Sequence, residues 1–176
     1  MIYVSRYKSQ IGNILLASDE EGLTGLWFEG QKYFANTLPD ERILQETEIL
    51  REAKKWLDVY FTGEDPPFMP PLHPAGSTFR QAVWQLLLQI PYGQTITYGE
   101  IARRMAEVKK VPRMSAQAVG AVGHNEISII IPCHRVVGTN GSLTGYGGGI
   151  DKKISLLNLE HADMSHLFIP KKGTAL

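Results

Sequence analysis

The chain has 176 residues, 43% of them hydrophobic and 9% aromatic, with 18 basic against 18 acidic side chains and a formal net charge of zero. That composition suffices for one good core or two small ones, and it excludes a disordered, collagen-like or strongly basic histone-like chain. A single cysteine, Cys133, excludes an internal disulfide framework and a cysteine-rich zinc site, and no apolar run reaches the roughly 18 residues of a membrane span.

No basic segment followed by an apolar stretch opens the chain, so no signal peptide is predicted and a soluble cytoplasmic protein with a free thiol is expected. The zero net charge conceals an asymmetry. Residues 1–72 carry seven basic and twelve acidic side chains, whereas residues 73–176 carry eleven basic and six acidic ones. A basic half points toward a polyanion partner; ordinary solvated faces are the plainer reading.

Met1–Ser9, Ile11–Ser18 and Leu23–Glu29 are β-rich and punctuated by Gly12, Gly22 and Gly30, which predicts an antiparallel meander. From Glu46 to Phe61 the apolar residues Ile49, Leu50, Ala53, Trp56, Leu57, Tyr60 and Phe61 fall at helical spacing, with Gly63 as the stop. Five prolines between Pro66 and Pro74 then mark a linker or stiff surface strap. The predicted N-terminal domain is 1–72, with the linker at about 64–76 and a second domain over 77–160. Ser77 or Thr78 caps a helix through Gln89, stopped by Pro91-Tyr92-Gly93. Thr97 caps a short helix, Tyr98–Met105, and Ser115 caps another, Ala116–Gly123. Two such helices suggest a helix-turn-helix, beside which Arg103, Arg104, Lys109, Lys110 and Arg113 cluster. The apolar run Ile127–Ile131 reads as a strand leading into Pro132-Cys133-His134-Arg135-Val136. Six glycines follow between Gly138 and Gly149, then a helix capped by Asp151 through about Glu160. Residues 161–176 read as a tail docked through Leu167, Phe168 and Ile169.

A lone cysteine is by default a small buried hydrophobe. Cys133, however, follows a proline at a change of chain direction, has a histidine beside it and precedes a glycine-rich loop where backbone can approach a flat ligand closely. A base beside the thiol would raise its thiolate population from the few per cent expected at neutral pH. His134 would serve best with a carboxylate on its other nitrogen, and Asp151 and Glu160 are the candidates. A cysteine–histidine–acid set also fits a cysteine hydrolase, so these residues alone leave the reaction class open.

Ile131-Pro132-Cys133-His134-Arg135-Val136, Gly145-Tyr146-Gly147-Gly148-Gly149 and Leu156-Leu157-Asn158-Leu159-Glu160 resemble the O6-alkylguanine-DNA alkyltransferase family. The likeness extends upstream through Ile90-Pro91-Tyr92-Gly93 and Thr97-Tyr98-Gly99-Glu100-Ile101-Ala102 to Asn125, about half the chain. It implies an α+β fold: a small N-terminal antiparallel sheet with a helix, then a mostly helical domain with a winged helix-turn-helix-like DNA-binding motif. The implied activity is repair of duplex DNA by irreversible, single-turnover transfer of an alkyl group from O6-alkylguanine to Cys133, with O4-alkylthymine a further candidate substrate. A flipped base would enter a pocket. The resemblance makes His134 the base acting through a water, Glu160 its orienter, Asn125 the tie between recognition helix and active-site turn, and Tyr98 a donor to the leaving guanine. It gives Tyr146 and Gly147 the pocket wall, Val136 a carbonyl for the exocyclic amine, and Lys153 a place near the pocket rim. Ser115, Ala116, Gln117, Ala118 and Gly120 would face DNA, with Arg113 contributing phosphate contacts and Arg135 either touching DNA or holding an acidic partner. No cofactor and no metal are expected, and a monomer is.

The chain departs from the family pattern in its recognition helix. Gln117 stands near the place of an arginine that fills the gap left by the flipped base, with Ala116 as the alternative occupant. The stretch is one residue short, and Glu126 replaces a common proline. A non-catalytic sensor of alkylated DNA is the competing reading, a cysteine hydrolase the more distant one.

Overall fold

In the computed structural model of the protein, residues 1–32 and 34–170 are described, with the backbone alone at 121–124. The last six residues of the expected tail, 171–176, and the side chains at the end of the expected second helix lie outside the described residues. The chain divides into two compact units. One comprises residues 1–75 and 126–128, the other residues 76–125 and 129–176.

In the first unit, β1 (Tyr3–Ser9), β2 (Gly12–Ser18) and β3 (Leu23–Phe28) form the predicted antiparallel meander, and β4 (Ile43–Leu44) adds to β1 in parallel, giving the sheet order β3-β2-β1-β4. The apolar run Ile14–Ala17 on β2 is buried throughout because both faces are covered. Leu15 and Ala17 join Val4 and Trp27, against Ile2, Ala35 and Leu38. Period-2 alternation turns Ile14 and Leu16 to the other face, where α1 (Glu48–Tyr60) packs on β1–β3. Thr47 caps α1 by accepting from the Leu50 N–H, and Leu50, Ala53, Trp56, Leu57 and Tyr60 form its buried face. Each fully buried leucine contributes about 2 kcal/mol of apolar transfer free energy. Gly25 is required on β3, since any Cβ there would overlap the Trp27 indole.

The outer edge of β3 is paired twice. Leu23 exchanges hydrogen bonds with Pro71 and His73 (Leu23 N–H to Pro71 O, 2.8 Å; His73 N–H to Leu23 O, 2.7 Å), so the proline-rich stretch is a strap along a sheet edge. Leu26 does the same with Glu126 and Ser128 at 2.8 and 3.0 Å. The Trp27 indole N–H donates to Glu126 Oε2 at 2.7 Å, giving this buried carboxylate a partner 99 residues away.

In the second unit, α2 (Thr78–Leu87) is capped by Ser77 and α3 (Tyr98–Lys109) by Thr97. α3 runs four residues past the predicted Met105. Arg103–Glu107 pairing sustains its exposed face, and Lys110, left-handed at φ 56, ends it. The expected second helix is a 3-10 helix, Ala116–His124. Its sequence carries two glycines and two valines, poor α-formers, in nine residues. β5 (Ile96–Thr97) and β6 (Val136–Val137) pair in parallel, and α4 (Ile150–Leu159) closes the unit. The N-cap of α4 is Gly149, so Asp151 is not the cap but an exposed residue of the first turn, where its charge suits the helix dipole. Ile127–Ile131 is not a strand. Ile127 makes one isolated bridge to Leu26, and Ile129 sits at φ 71, where a β-branched residue breaks any ladder.

Candidate active site

Cys133 opens a short 3-10 helix, Cys133–Arg135, directly after Pro132. The Cys133 N–H donates to the Ile131 carbonyl at 2.8 Å, a tight turn about the proline that aims the thiol away from the preceding chain. Asn125 Nδ2 donates to the Ile131 carbonyl at 2.7 Å and to Cys133 Sγ at 3.2 Å. One amide therefore holds both the turn and the sulfur. The thiol is 5% exposed, and burial pushes its pKa up against the opposing pull of the Asn125 N–H and the Lys153 charge. At neutral pH it is a thiol that needs a base.

His134 is fully buried beside it in sequence. Its Nε2 lies 2.6 Å from Glu160 Oε2. Burial lowers the imidazole pKa and outweighs Glu160, so the ring is neutral at pH 7. A neutral ring that donates from Nε2 to a carboxylate keeps its Nδ1 lone pair for a proton, and Nδ1 is buried with no hydrogen-bond partner among the described residues. Of the two candidate carboxylates, Glu160 is the one brought to His134.

Glu160 is the hub of this arrangement. Its Oε1 accepts from Arg135 Nε at 2.8 Å and from the Gly93 N–H at 3.0 Å, and its Oε2 accepts from Arg135 at 3.1 Å. Burial alone would raise its pKa, but the hydrogen bonds and charges of His134 and Arg135 prevail and hold the carboxyl far below its usual range. Arg135 also donates to the Ile90 carbonyl at 2.8 Å, and its guanidinium lies 5.7 Å from the Tyr92 ring centroid. This corrects the expectation that Arg135 reaches DNA: it is 7% exposed, and its donors are committed to Glu160 and Ile90. The acidic partner, the other option, is Glu160. The turn Ile90-Pro91-Tyr92-Gly93 thereby acquires roles that residue-by-residue reading missed. Gly93 sits at φ 77 where a Cβ would crowd the Glu160 carbonyl at 2.9 Å, so only glycine brings this N–H to the carboxylate.

Tyr98 stands at the first position of α3, its hydroxyl 3.4 and 3.3 Å from the Thr144 and Gly145 carbonyls. Burial, then the charge at Cys133, raises its pKa, so the phenol keeps its proton. Gly145 has φ 80 and no space for a Cβ beside the phenol oxygen. The Tyr146 ring lies edge-on to His134 with centroids 6.3 Å apart, and Gly147 is half-buried. Lys153, expected near the pocket rim, has no exposed surface. It donates to the Val136 and Thr144 carbonyls, and burial pushes its pKa down to about 8. The Val136 carbonyl thus already takes one donor and has one lone pair left.

Arg113, Ser115, Ala116, Gln117, Ala118 and Gly120 are all exposed, while Val119 between them is fully buried and anchors the helix. A Cβ on Gly120 would meet nothing, so tight packing within the protein does not explain this glycine. Arg103 and Arg104 are engaged by Glu100, and Arg103 also by Glu107, so phosphate contacts from them would compete with these pairs.

The chain is similar to known proteins along most of its length. Residues 2–74 match the family described as 6-O-methylguanine DNA methyltransferase, ribonuclease-like domain, and residues 78–162 match 6-O-methylguanine DNA methyltransferase, DNA binding domain. A methylated-DNA–protein-cysteine methyltransferase of Methanosarcina acetivorans is 47% identical over 161 residues, covering 90% of this chain and 98% of that protein. Its namesake in Haemophilus influenzae is 42% identical over 160 residues, covering 90% and 86%. The crystal structure of Mycobacterium tuberculosis OGT in complex with DNA superposes with a TM-score of 0.77 at 41% identity, covering 90% of this chain and 92% of that one. With family matches over residues 2–74 and 78–162, the chain belongs to the 6-O-methylguanine DNA methyltransferase family.

Proposed function

We propose that this protein repairs duplex DNA by taking the alkyl group of an O6-alkylguanine irreversibly onto Cys133, once per molecule. The observation that carries this reading is that buried, neutral His134, held by Glu160, directly follows in sequence a buried thiol steadied by Asn125. His134 Nδ1 takes the thiol proton through a water, and Glu160 stabilises the resulting imidazolium. The sulfur forms a bond to the alkyl carbon as the carbon–O6 bond breaks, and the electron pair passes to guanine. Tyr98, still protonated, donates to the guanine as charge develops on it. Tyr146, Gly147 and the Val136 carbonyl line the pocket, and Lys153 keeps Val136 and Thr144 in place beneath it.

A base reaches such a pocket only by leaving the stack, at a cost of a few kcal/mol. The exposed, small-residue face Ser115, Ala116, Ala118 and Gly120 suits close approach to a minor groove, with Gln117 as the wedge and Arg113 on phosphate. The alkylated base supplies its own electrophile, so the reaction needs no cofactor. No helix among the described residues is long and apolar enough to cross a membrane. We place the protein in the cytoplasm as a monomer on double-stranded DNA. The sensor reading would leave the Cys133–His134–Glu160 relay without a purpose.

Intact mass after incubation with a duplex carrying one O6-methylguanine tests the proposal. The expected result is a gain of one methylene mass on the peptide holding Cys133, saturating at one per protein and absent in Cys133→Ala. Retained DNA binding with no mass gain would favour the sensor. Release of product over many turnovers would favour a hydrolase.

A further inference from the structure

The loop 138–149, which carries Tyr146 and Gly147, is gripped from outside by chain that follows α4. The Phe168 N–H donates to the Gly141 carbonyl at 3.0 Å and the Leu143 N–H donates to the Phe168 carbonyl at 2.8 Å, making Ser142 and Phe168 parallel bridge partners. Gly141 lies at φ 96, and a Cβ there would overlap the His166 carbonyl, so the two backbones touch. Ala162, Met164 and Leu167 pack on a cluster of Val137, Leu143 and Leu157. The docking differs from the sequence expectation: Leu167 packs, whereas the side chains of Phe168 and Ile169 are exposed and Phe168 binds through its backbone.

From inside, the same loop is held by groups of the active site. Lys153 donates to the Thr144 carbonyl, and the Tyr98 hydroxyl lies within 3.4 Å of the carbonyls of Thr144 and Gly145. Leu143 is therefore tied outward and Thr144 inward, two residues before Tyr146.

We propose that residues 164–168 are a positioning strap that fixes the 141–146 wall of the alkylguanine pocket and so determines which O6 substituent fits. This rests on the reading of Tyr98, Tyr146, Gly147 and Cys133 as that pocket. A wall held on both sides does not yield outward unless the backbone pairing of Phe168 with Gly141 and Leu143 loosens. On this proposal a methyl group fits against the wall as it stands, whereas the larger benzyl group requires the wall to move. The intact strap discriminates against bulk, and loosening it relaxes the discrimination.

The test uses the full chain under single-turnover conditions, with one duplex carrying O6-methylguanine and the same duplex carrying O6-benzylguanine. Phe168→Pro removes the N–H that bonds Gly141 while altering a side chain that is largely exposed; Leu167→Ala removes the apolar anchor and leaves the backbone able to pair. The expected result is a benzyl-to-methyl rate ratio raised roughly fivefold or more in Phe168→Pro and shifted the same way in Leu167→Ala, a size-dependent effect that general loosening of the fold would not give. A ratio within about twofold of wild type in both variants, or in Leu167→Ala alone should Phe168→Pro fail to fold, overturns the strap. Failure of the wild-type protein to transfer either group overturns the pocket reading itself, and the strap with it.

Discussion

Glu160 Oε2 lies 2.6 Å from His134 Nε2, and neither side chain has any surface in solvent. The same carboxylate neutralises buried Arg135. Replacing Glu160 by glutamine keeps a hydrogen-bond acceptor for His134 but strands the guanidinium, which costs about 3–5 kcal/mol of stability. The imidazolium formed during proton transfer also loses its counter-charge, and the rate falls about 100-fold. Denaturant unfolding and single-turnover reaction with free O6-benzylguanine check the two effects separately. Near-normal values in both would show that neither His134 nor Arg135 depends on this charge.

The pH dependence of transfer follows from His134. Its folded pKa lies below 6.5 because burial disfavours the charged ring. The base form therefore persists as pH falls through 6.5, and the rate should stay flat there and drop only at lower pH. For stability the sign is the same. A group with a depressed folded pKa contributes stability that is present above its unfolded value and lost as pH falls through the folded one. An acid limb of the single-turnover rate centred above 6.5 would contradict the assignment of His134 as a buried neutral base.

Glu100 takes hydrogen bonds from Arg103 at 2.9 and 2.6 Å and from Arg104 at 3.2 Å, and the Arg103 hydrogen bonds foremost hold its carboxyl at about 2. It stays ionised across the working range and competes with phosphate for both arginines. Glu100→Gln should tighten binding to undamaged duplex several-fold at low salt, and steepen the salt dependence by about one to two phosphate contacts. Fluorescence anisotropy across a salt series measures both. An unchanged slope would mean that these arginines do not face DNA.

Gln117 is exposed and uncharged on the helix proposed to enter the minor groove. Gln117→Arg should accelerate repair of duplex O6-methylguanine by about tenfold and leave reaction with free O6-benzylguanine unchanged, since flipping is needed only in the duplex. Parallel single-turnover rates decide this. Equal changes on both substrates would remove Gln117 from the wedge position.

Local features were readable in the chain. Ser77 and Thr97 cap their helices because an N-cap is decided within three residues, and Cys133–His134 stand side by side in one short motif, whereas the residues left Asp151 and Glu160 open as the partner of His134 and only the family resemblance singled out Glu160. What escaped reading depends on partners distant in sequence. Arg135 resembles a DNA-binding side chain until Glu160 and Ile90 claim it across 25 and 45 residues. Lys153 looks like a rim lysine until the carbonyls of Val136 and Thr144 enclose it. The run Ile127–Ile131 is apolar enough for a strand, but φ 71 at Ile129 turns it, a conformation that no side-chain pattern announces. Glu126, a bare departure from the family pattern, is explained only when Trp27 is brought to it.

That last pairing bears on how the protein can be dissected. Glu126–Ser128 belong to the first unit although they lie within the sequence of the second, beginning one residue beyond Asn125 and ending five before Cys133. The two units are consequently not contiguous in sequence, and the proline-rich stretch is not a seam at which the chain can be cut. A fragment starting near Gly76 would keep every residue of the relay yet leave the Glu126 carboxylate without its indole and the 126–128 backbone without Leu26. Loss of activity in such a fragment would report an unravelled approach to the cysteine rather than any chemistry supplied by the missing sheet.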